Sequence, residues 1–179
     1  MLDIGTGDGM FVYRAAIANA RKFFIGIDPN RRPLEKISER IYRKASRGGA
    51  PNALFVQAAV EDLPPELAGI ASEVHVNFPW GSLLRTVAGE DINALRNLRM
   101  MCSEDARFKV ILGVDPARDK TEIARLQIPQ LSLDYIDSTV SLKYQAAGLR
   151  SSKAERWTRR RGVRWKHHGP GDSVETAIE

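Results

Sequence analysis

The stretch LDIGTGDG, residues 2–9, decides the fold of this chain. A short strand at 2–4 runs directly into a turn that has glycine at positions 5, 7 and 9. Glycine is needed where the backbone takes a positive φ or passes close to a ligand. The next stretch, GMFVYRAAIANA at 9–20, has the spacing of a helix with Phe11, Ala15 and Ala18 on one face. A strand, a glycine turn and a helix in succession predict the first unit of an α/β fold.

Strand and helix signals continue to alternate along the chain. Strands are predicted at KFFIGID (22–28), ALFVQAAV (53–60), EVHVNF (73–78) and RFKVILGV (107–114), and helices at 33–47, 92–102 and 132–147. This alternation predicts an α/β fold with a mainly parallel sheet. In the strand at 73–78, Val74, Val76 and Phe78 are predicted to point inward. Ligands of such sheets bind beyond the carboxyl ends of the strands, which here are residues 5–9, 28, 59–62 and 77–82.

The composition is typical of one soluble globular domain, with 179 residues, 43% hydrophobic and 27% charged. No apolar run approaches the roughly 18 residues of a membrane span. The first residues lack the basic and apolar regions of a signal peptide. The single cysteine, Cys102, excludes an internal disulfide and is predicted to be a small core residue. We therefore expect a monomeric, cytoplasmic protein that does not enter a membrane.

Positive charge is concentrated in one segment. The formal net charge is +5, and residues 150–168 hold eight Lys or Arg against one acid, whereas 169–179 hold three acids and no base. A local basic patch is typical of a surface that binds a polyanion, although a solvated tail would have the same composition. We expect a core domain over 1–149, a basic arm over 150–168 and a polar tail over 169–179.

Acids at the strand ends indicate the kind of ligand. Asp3 precedes a G-x-G-x-G turn, and Met10 stands where a dinucleotide fingerprint would have its third glycine. The arrangement resembles motif I of S-adenosylmethionine (SAM) methyltransferases, where an acid suits the cationic sulfonium and amino group. Asp28 ends the next strand, where a carboxylate takes ribose hydroxyls, and Glu61 and Asp62 follow the third strand, where an adenine would lie. Acids also favour helix N-termini for structural reasons, and this alternative stays open.

Longer segments carry a more specific resemblance. They are LDIGTGDG, FFIGIDP, SRGGAPNALFVQAAVEDLPPEL, VNFPWGSLL, PQLSLDYI and YQAAGL. Together they resemble the 16S ribosomal RNA adenine-N1 methyltransferases that confer aminoglycoside resistance, the KamB and NpmA type. The likeness extends over about residues 2–149, and FPWGSLL at 78–84 is its most specific part. A tRNA guanine-N7 methyltransferase would continue from NFP with Asp-Pro-Trp, which this chain does not.

The resemblance implies a class I SAM-dependent methyltransferase fold, which is Rossmann-like, and a role for each matching residue. SAM would be held by residues at the strand ends: Asp3, Gly5, Gly7, Asp28, Ala59, Glu61, Asn77 and Ser82. Trp80 and Trp157 would clamp the target adenine, and Trp165 is a rival for the second position. RNA would be docked by basic residues after the second strand and in the arm: Arg40, Arg43, Lys44, Arg47, Arg159 and Arg160.

The chemistry of adenine N1 methylation agrees with these roles. N1 lies on the Watson–Crick edge, so the base of 16S rRNA in the 30S subunit must be flipped out of its stack. Stacking on aromatic side chains is worth roughly 1–3 kcal/mol per base. N1 has a lone pair and requires no strong general base, so catalysis would be chiefly positioning. The sequence has no Ser-His-Asp or metal-ligand spacing, and we expect no metal.

The basic residues of the 33–47 helix lie beside its apolar stripe. Leu34, Ile37 and Ile41 form that stripe, and the four basic positions are centred about 100° away at 3.6 residues per turn. This placement suits contacts to phosphates, and an ordinary solvated face would also have it.

Several positions depart from the family pattern. The chain begins almost at the glycine turn, so the first strand is expected to be short. Asn77 stands where proteins of this type carry Leu. The segment before Trp157 is shorter than in the family, Glu155 replaces a cofactor-contacting Ser, and 166–179 lacks the apolar alternation of a strand. We therefore expect a curtailed C-terminal strand region.

Two alternative functions remain open from the sequence. One is a SAM methyltransferase that acts on another RNA (tRNA or rRNA) or on a small molecule. An enzyme for a small molecule would have no use for the basic arm. The other is a catalytically degenerate RNA-binding relative.

Overall fold

The fold is that of a computed structural model, which describes residues 1–115, 117–150, 154–157 and 173–178. Its strands are β1 (Leu2–Ile4), β2 (Phe24–Asp28), β3 (Ala53–Gln57), β4 (Ala71–Asn77), β5 (Cys102–Gly113), β6 (Glu155–Trp157) and β7 (Ser173–Ile178). Its α-helices are α1 (Met10–Ala18), α2 (Arg31–Ile41), α3 (Gly81–Arg85), α4 (Ile92–Met101), α5 (Lys120–Leu126), α6 (Leu133–Tyr135) and α7 (Ser141–Ala146). Two π-helical segments, Thr86–Glu90 and Ile136–Val140, continue α3 and join α6 to α7.

The strands form one sheet in the order β3-β2-β1-β4-β5-β7-β6. The first five are parallel to one another, whereas β7 is antiparallel to both β5 and β6. The predicted α/β fold with a mainly parallel sheet is confirmed. The strand order reverses between β1 and β4, and this switch point is where ligands of such sheets bind.

Hydrophobic residues cover both faces of the sheet. Successive residues of a strand point to opposite faces, and Phe24 and Ile25 of β2 accordingly belong to different core clusters. The larger cluster packs β1, β4 and β5 against α4, with Val74, Val76 and Phe108 nearly inaccessible. The smaller cluster contains all the buried residues of α1 and two of those of α2: Val12, Tyr13, Ala16, Ile37 and Ile41. The sheet edge between these two layers is therefore a rigid base for a site.

Two predicted helices differ from the structure. The buried face of α1 consists of Val12, Tyr13 and Ala16, and Phe11 is 37% exposed with its ring centroid 5.7 Å from that of His75. The predicted face and the buried face both have helical spacing, so the periodicity alone does not show which of them is buried. Helix α2 ends at Ile41, rather than at 47, because the chain closes a turn in which the Ala50 amide donates to the Ile41 carbonyl at 3.0 Å.

The expected loss of C-terminal strand structure is wrong. Residues 173–178, predicted as part of a polar tail, form β7 and pair along β5 from Phe108 to Gly113. In this pairing, the buried β5 residues Leu112, Val110 and Phe108 lie opposite Val174, Thr176 and Ile178. These three are β-branched residues at alternate positions, a pattern typical of a strand. Glu175 stands between the first two of them and the strand has only six residues, so the pattern is weak in the sequence alone.

Candidate active site

The glycine turn after β1 lies at the carboxyl edge of the sheet. The amides of Gly5 and Thr6 both donate to the Ile27 carbonyl, at 2.8 and 3.0 Å, which ties the turn to β2. Gly5, Gly7 and Gly9 all have positive φ, the region that favours glycine. A Cβ on Gly9 would lie 2.6 Å from the Phe55 ring, whereas a Cβ on Gly7 would meet nothing within 4 Å. The backbone at Gly7 therefore borders open space that a ligand can occupy.

Asp28, at the end of β2, is held by two backbone amides. Gly7 donates to Asp28 Oδ2 and Asn30 donates to Asp28 Oδ1, each at 2.8 Å. A carboxylate has about four acceptor positions, so each oxygen keeps one for a ligand hydroxyl. The glycine turn and the predicted ribose-binding carboxylate are thus one hydrogen-bonded unit.

Asp3 is a buried carboxyl between β2 and β4. Its exposed fraction is 2%, and the Asn77 amide donates to its Oδ1 at 3.0 Å. Burial raises the pKa of Asp3 to about 6, and the negative charge of Asp28 adds to this. The Thr6 hydroxyl and the Asn77 amide, which face the carboxyl, act in the opposite direction. A buried carboxylate of this kind gains from a cationic ligand.

The third strand end is a loop braced by α4. Ala59 is half-buried and its carbonyl accepts from the Asp62 amide at 3.1 Å, while Glu61 is exposed. Asn97 donates through Nδ2 to the carbonyls of Val60 and Glu61, at 3.2 and 3.0 Å. Asn97 could not be predicted as part of the site, since its long-range contacts leave no local pattern in the sequence.

Two aromatic side chains stand exposed where the chain leaves β4. Phe78 is 57% exposed and Trp80 is 54% exposed, on either side of the buried Pro79. The prediction that Phe78 points inward is wrong: its φ is +51° and the strand has already ended at Asn77. The ring lies over Gly113, where a Cβ would come within 2.6 Å of Phe78 Cδ1. Phe78 thereby joins Trp80 as an aromatic surface at the switch point.

Helix α3 begins directly behind Trp80 and lies against α5. Glu122 accepts from Arg125 at both carboxylate oxygens, each at 2.7 Å. This Arg125 contact is the main cause that lowers the pKa of Glu122, and the Gly81 amide also contributes. Ser82 is exposed in the first turn of α3, and its carbonyl accepts from the Thr86 hydroxyl at 3.0 Å. The start of α3 therefore lies near an acidic side chain of a second helix.

The sheet register brings Trp157 to the same edge. In the register, Gly113 pairs with Ser173, and Ser173 pairs with Trp157. Adjacent strands are about 4.8 Å apart, so the Trp157 backbone lies roughly 10 Å from that of Gly113. Because β6 is antiparallel to β7, it runs parallel to β5 and ends at the carboxyl edge. Trp165, Arg159 and Arg160 lie outside the described residues.

Arg40 of α2 lies close to the start of α1, directly after the glycine turn. Arg40 is exposed, stacks over the Tyr13 ring at 4.2 Å and contacts Met10 Sδ at 3.9 Å. Arg43, Lys44 and Arg47 are also exposed, but they lie beyond the end of α2. The angle predicted for these three on a continuous helix is therefore wrong. A groove opens beside Arg40; its lining includes Asp8, Asn30, Arg32 and Lys36.

Comparison with known proteins identifies the family. A family model described as NpmA, 16S rRNA (adenine(1408)-N(1))-methyltransferase, matches residues 1–164. The chain belongs to this family. The Escherichia coli 16S rRNA (adenine(1408)-N(1))-methyltransferase is 38% identical over 145 residues, which are 81% of this chain and 65% of that protein. The Streptoalloteichus tenebrarius enzyme of the same name is 37% identical over 149 residues, 83% of this chain and 67% of that protein.

Solved structures of this kind share the fold. The aminoglycoside resistance methyltransferase NpmB1 superposes with a TM-score of 0.83 at 43% identity, covering 99% of this chain and 86% of that chain. A mutant of the Catenulisporales acidiphilia 16S rRNA (adenine(1408)-N(1))-methyltransferase, solved with cosubstrate SAM, gives a TM-score of 0.87 at 29% identity, covering 99% and 83%. The predicted class I methyltransferase fold is confirmed. The chain spans 65% of the length of the Escherichia coli relative.

The strand ends of this family member fit SAM. Open space at Gly7, a fixed carboxylate at Asp28 and a buried carboxyl at Asp3 match a ribose and a cationic group. Among the side chains that the structure describes, no group of three His, Cys, Asp or Glu could hold a metal ion. None of the described helices is long and apolar enough to cross a membrane.

Proposed function

We propose that this protein transfers a methyl group from SAM to N1 of the decoding-site adenine of 16S rRNA in the 30S subunit. The modification would confer aminoglycoside resistance. The observation that carries the proposal is the aromatic pair Phe78 and Trp80, exposed at the switch point beside the turn of Gly7 and Asp28. A flipped base is held by stacking against aromatic side chains, and side chains exposed at this edge are free to receive one.

The cofactor would be held by the strand ends and would supply a methyl group on a positively charged sulfur. Asp28 would accept the ribose hydroxyls, Gly5 and Gly7 would admit the aminoacyl end, and Asp3 would face its positive charge. Ala59 and Glu61 would border the adenine, and Ser82 would close the pocket from α3. Asn77 would serve this site through Asp3, to which its amide donates.

The target base would be held between Trp80 and Trp157. The register that brings the Trp157 backbone to the edge of β5 supports this assignment. The N1 lone pair would form the new bond to the methyl carbon while the bond from that carbon to sulfur breaks with its electron pair left on sulfur. The protein is required to orient N1 in line with that bond, which is a large part of many enzymatic rate enhancements.

RNA docking would use the basic residues of α2 and of the turn that follows it. Arg40, Arg43, Lys44 and Arg47 are exposed, and the groove beside Arg40 adds Arg32 and Lys36. Within the described part of the chain, neither Arg32 nor Lys36 forms an ion pair, whereas Arg31 pairs with Glu35 at 2.7 Å. Cations of this kind are available to phosphates. Arg159 and Arg160 of the basic arm would extend the docking surface, and the protein would act as a monomer in the cytoplasm.

Primer extension on 16S rRNA tests the proposal directly. 30S subunits are incubated with the protein and SAM, and methylation at N1 blocks pairing, so a new stop next to the decoding-site adenine is expected. Asp28→Ala and naked 16S rRNA serve as controls, and both are expected to give a weaker stop. A stop elsewhere would indicate another RNA target. SAM binding without any stop would support a degenerate relative and reject the proposed activity.

A further inference from the structure

Asp3, His75 and Asn77 share one face of the sheet. Asp3 pairs with His75 across β1 and β4, and directly paired residues point to the same side, as do residues two apart in a strand. The face opposite holds Val74 and Val76 in the core. Asn77 is half-buried, and its Nδ2 donates to Asp3 Oδ1 at 3.0 Å. A polar side chain at this depth requires a partner, and Asp3 supplies it.

In the part of the chain that the structure describes, no cationic side chain is among the groups that act on the Asp3 carboxyl. Asp28 from β2 is negative, and Asn77 from β4 is a neutral donor at 3.0 Å. The neutral Thr6 hydroxyl of the glycine turn faces the carboxyl but forms no hydrogen bond by distance and angle. His75 stands opposite in the register, and burial is the main cause that lowers the pKa of its imidazole. The Asn77 amide is therefore one of the few contacts that favour the carboxylate over the protonated acid.

We propose that Asn77 is a positioning residue for cofactor binding, whose amide orients the Asp3 carboxylate and favours its ionised form. This inference rests on the proposed SAM site. A cofactor whose aminoacyl end carries a positive ammonium group binds the ionised carboxylate better than the neutral acid, so its affinity rises with pH as Asp3 loses its proton. The hydrogen bond from Asn77 lowers the pH at which this rise in affinity occurs.

Asn77→Leu removes the donor while keeping a side chain of similar size and branching. A hydrogen bond to a charged group is strong enough to move the midpoint of the affinity rise upward by roughly one to two pH units. The variant is then expected to bind more weakly than the parent by about tenfold or more at pH 5.5. The deficit narrows to about two- to tenfold at pH 7 and to about twofold or less at pH 8.

The test is calorimetric titration with S-adenosylhomocysteine from pH 5.5 to 8, on the unchanged chain, Asn77→Leu and Asp3→Asn. The affinity of the unchanged chain should rise with a midpoint near the Asp3 pKa of about 6. Asp3→Asn should bind weakly with little pH dependence. 5′-Methylthioadenosine, which lacks the aminoacyl group, should bind all three proteins with nearly equal affinity and little pH dependence. Circular dichroism and thermal unfolding establish that each variant is folded, and Asn77→Ala replaces the leucine variant if that one does not fold.

The outcomes separate the inference from the function on which it rests. An equal loss of affinity for Asn77→Leu at every pH would indicate a merely structural role and overturn the inference. Unchanged affinity and midpoint would also overturn it, while leaving the SAM site intact. No binding by the unchanged chain at any pH would instead reject the cofactor site itself.

Discussion

Replacing Asp3 by Asn is expected to stabilise the cofactor-free protein at neutral pH. The folded protein must keep a carboxylate that is 2% exposed, and burial is the main reason why its pKa is about 6 rather than the ordinary 3.8. The folded state therefore holds a proton that the unfolded state releases, so stability falls as pH rises from about 4 to about 6. An amide at this position has no charge to bury and avoids that loss.

The size of the effect follows from the two pKa values. They differ by about 2 pH units, and each unit corresponds to about 1.4 kcal/mol. Asp3→Asn should therefore raise the free energy of unfolding by about 3 kcal/mol at pH 8 and by about half of that at pH 5. For a chain of 179 residues, 3 kcal/mol corresponds to an increase in Tm of about 6–12 °C.

Urea unfolding at pH 8 and pH 5, without cofactor, measures this difference. Glu73→Gln is a control of opposite sign, because the hydrogen bond from Lys22 at 3.1 Å is the main cause that lowers the pKa of Glu73. The interaction of Glu73 with Lys22 stabilises the fold at pH values above the ordinary pKa of Glu73. This contribution is lost as the pH falls through the lowered pKa of the folded state. A loss of stability in Asp3→Asn at pH 8, or a gain equal at both pH values, would refute the assignment of a buried, unpaired charge.

Three further outcomes are expected from the site geometry. Trp80→Ala should abolish methylation in the primer-extension assay while leaving 30S binding nearly unchanged, because stacking follows docking; equal loss of both would indicate a packing role. Gln at both Arg32 and Lys36 should weaken 30S binding and make its salt slope shallower by about one for each phosphate that is no longer bound. Arg31→Gln, a change at a residue already paired with Glu35, should have little effect on either, and a similar weakening would argue against the groove. Gly9→Ala should lower the free energy of unfolding by about 2 kcal/mol or more, because φ is +69° and the added Cβ would strike a phenyl ring; an unchanged urea midpoint would contradict this.

The parts of the fold that can be predicted from the sequence are those with dense local signals. The strand at β2 is a continuous apolar run that ends in an acid, and the turn of Gly5, Gly7 and Gly9 requires positive φ. Both features follow from a few adjacent residues. The positions of Asp3 and Asp28 at neighbouring strand ends follow from parallel topology alone, and in the structure the charge of Asp28 contributes to the raised pKa of Asp3.

The parts that sequence reasoning missed depend on contacts between distant residues. Alternation predicts an inward Phe78, but the ring turns outward over Gly113, which is 35 residues away and leaves space for it. The strand β7 has a weak pattern of its own, and its pairing with β5 supplies the stabilisation. Asn77 has no explanation from the sequence, because its partner Asp3 lies 74 residues earlier.

The order of strands in the sheet has a consequence for synthesis of the protein. β6, which carries Trp157, joins the sheet only through β7, and β7 follows it in the chain. The chain is synthesised from its N-terminus, so the strands that carry Asp3 and Asp28 leave the ribosome well before β7 is available to pair with β6. Under the proposed function, the second tryptophan would take its place at the sheet edge only after β7 has been synthesised, so the base-binding site would be completed last.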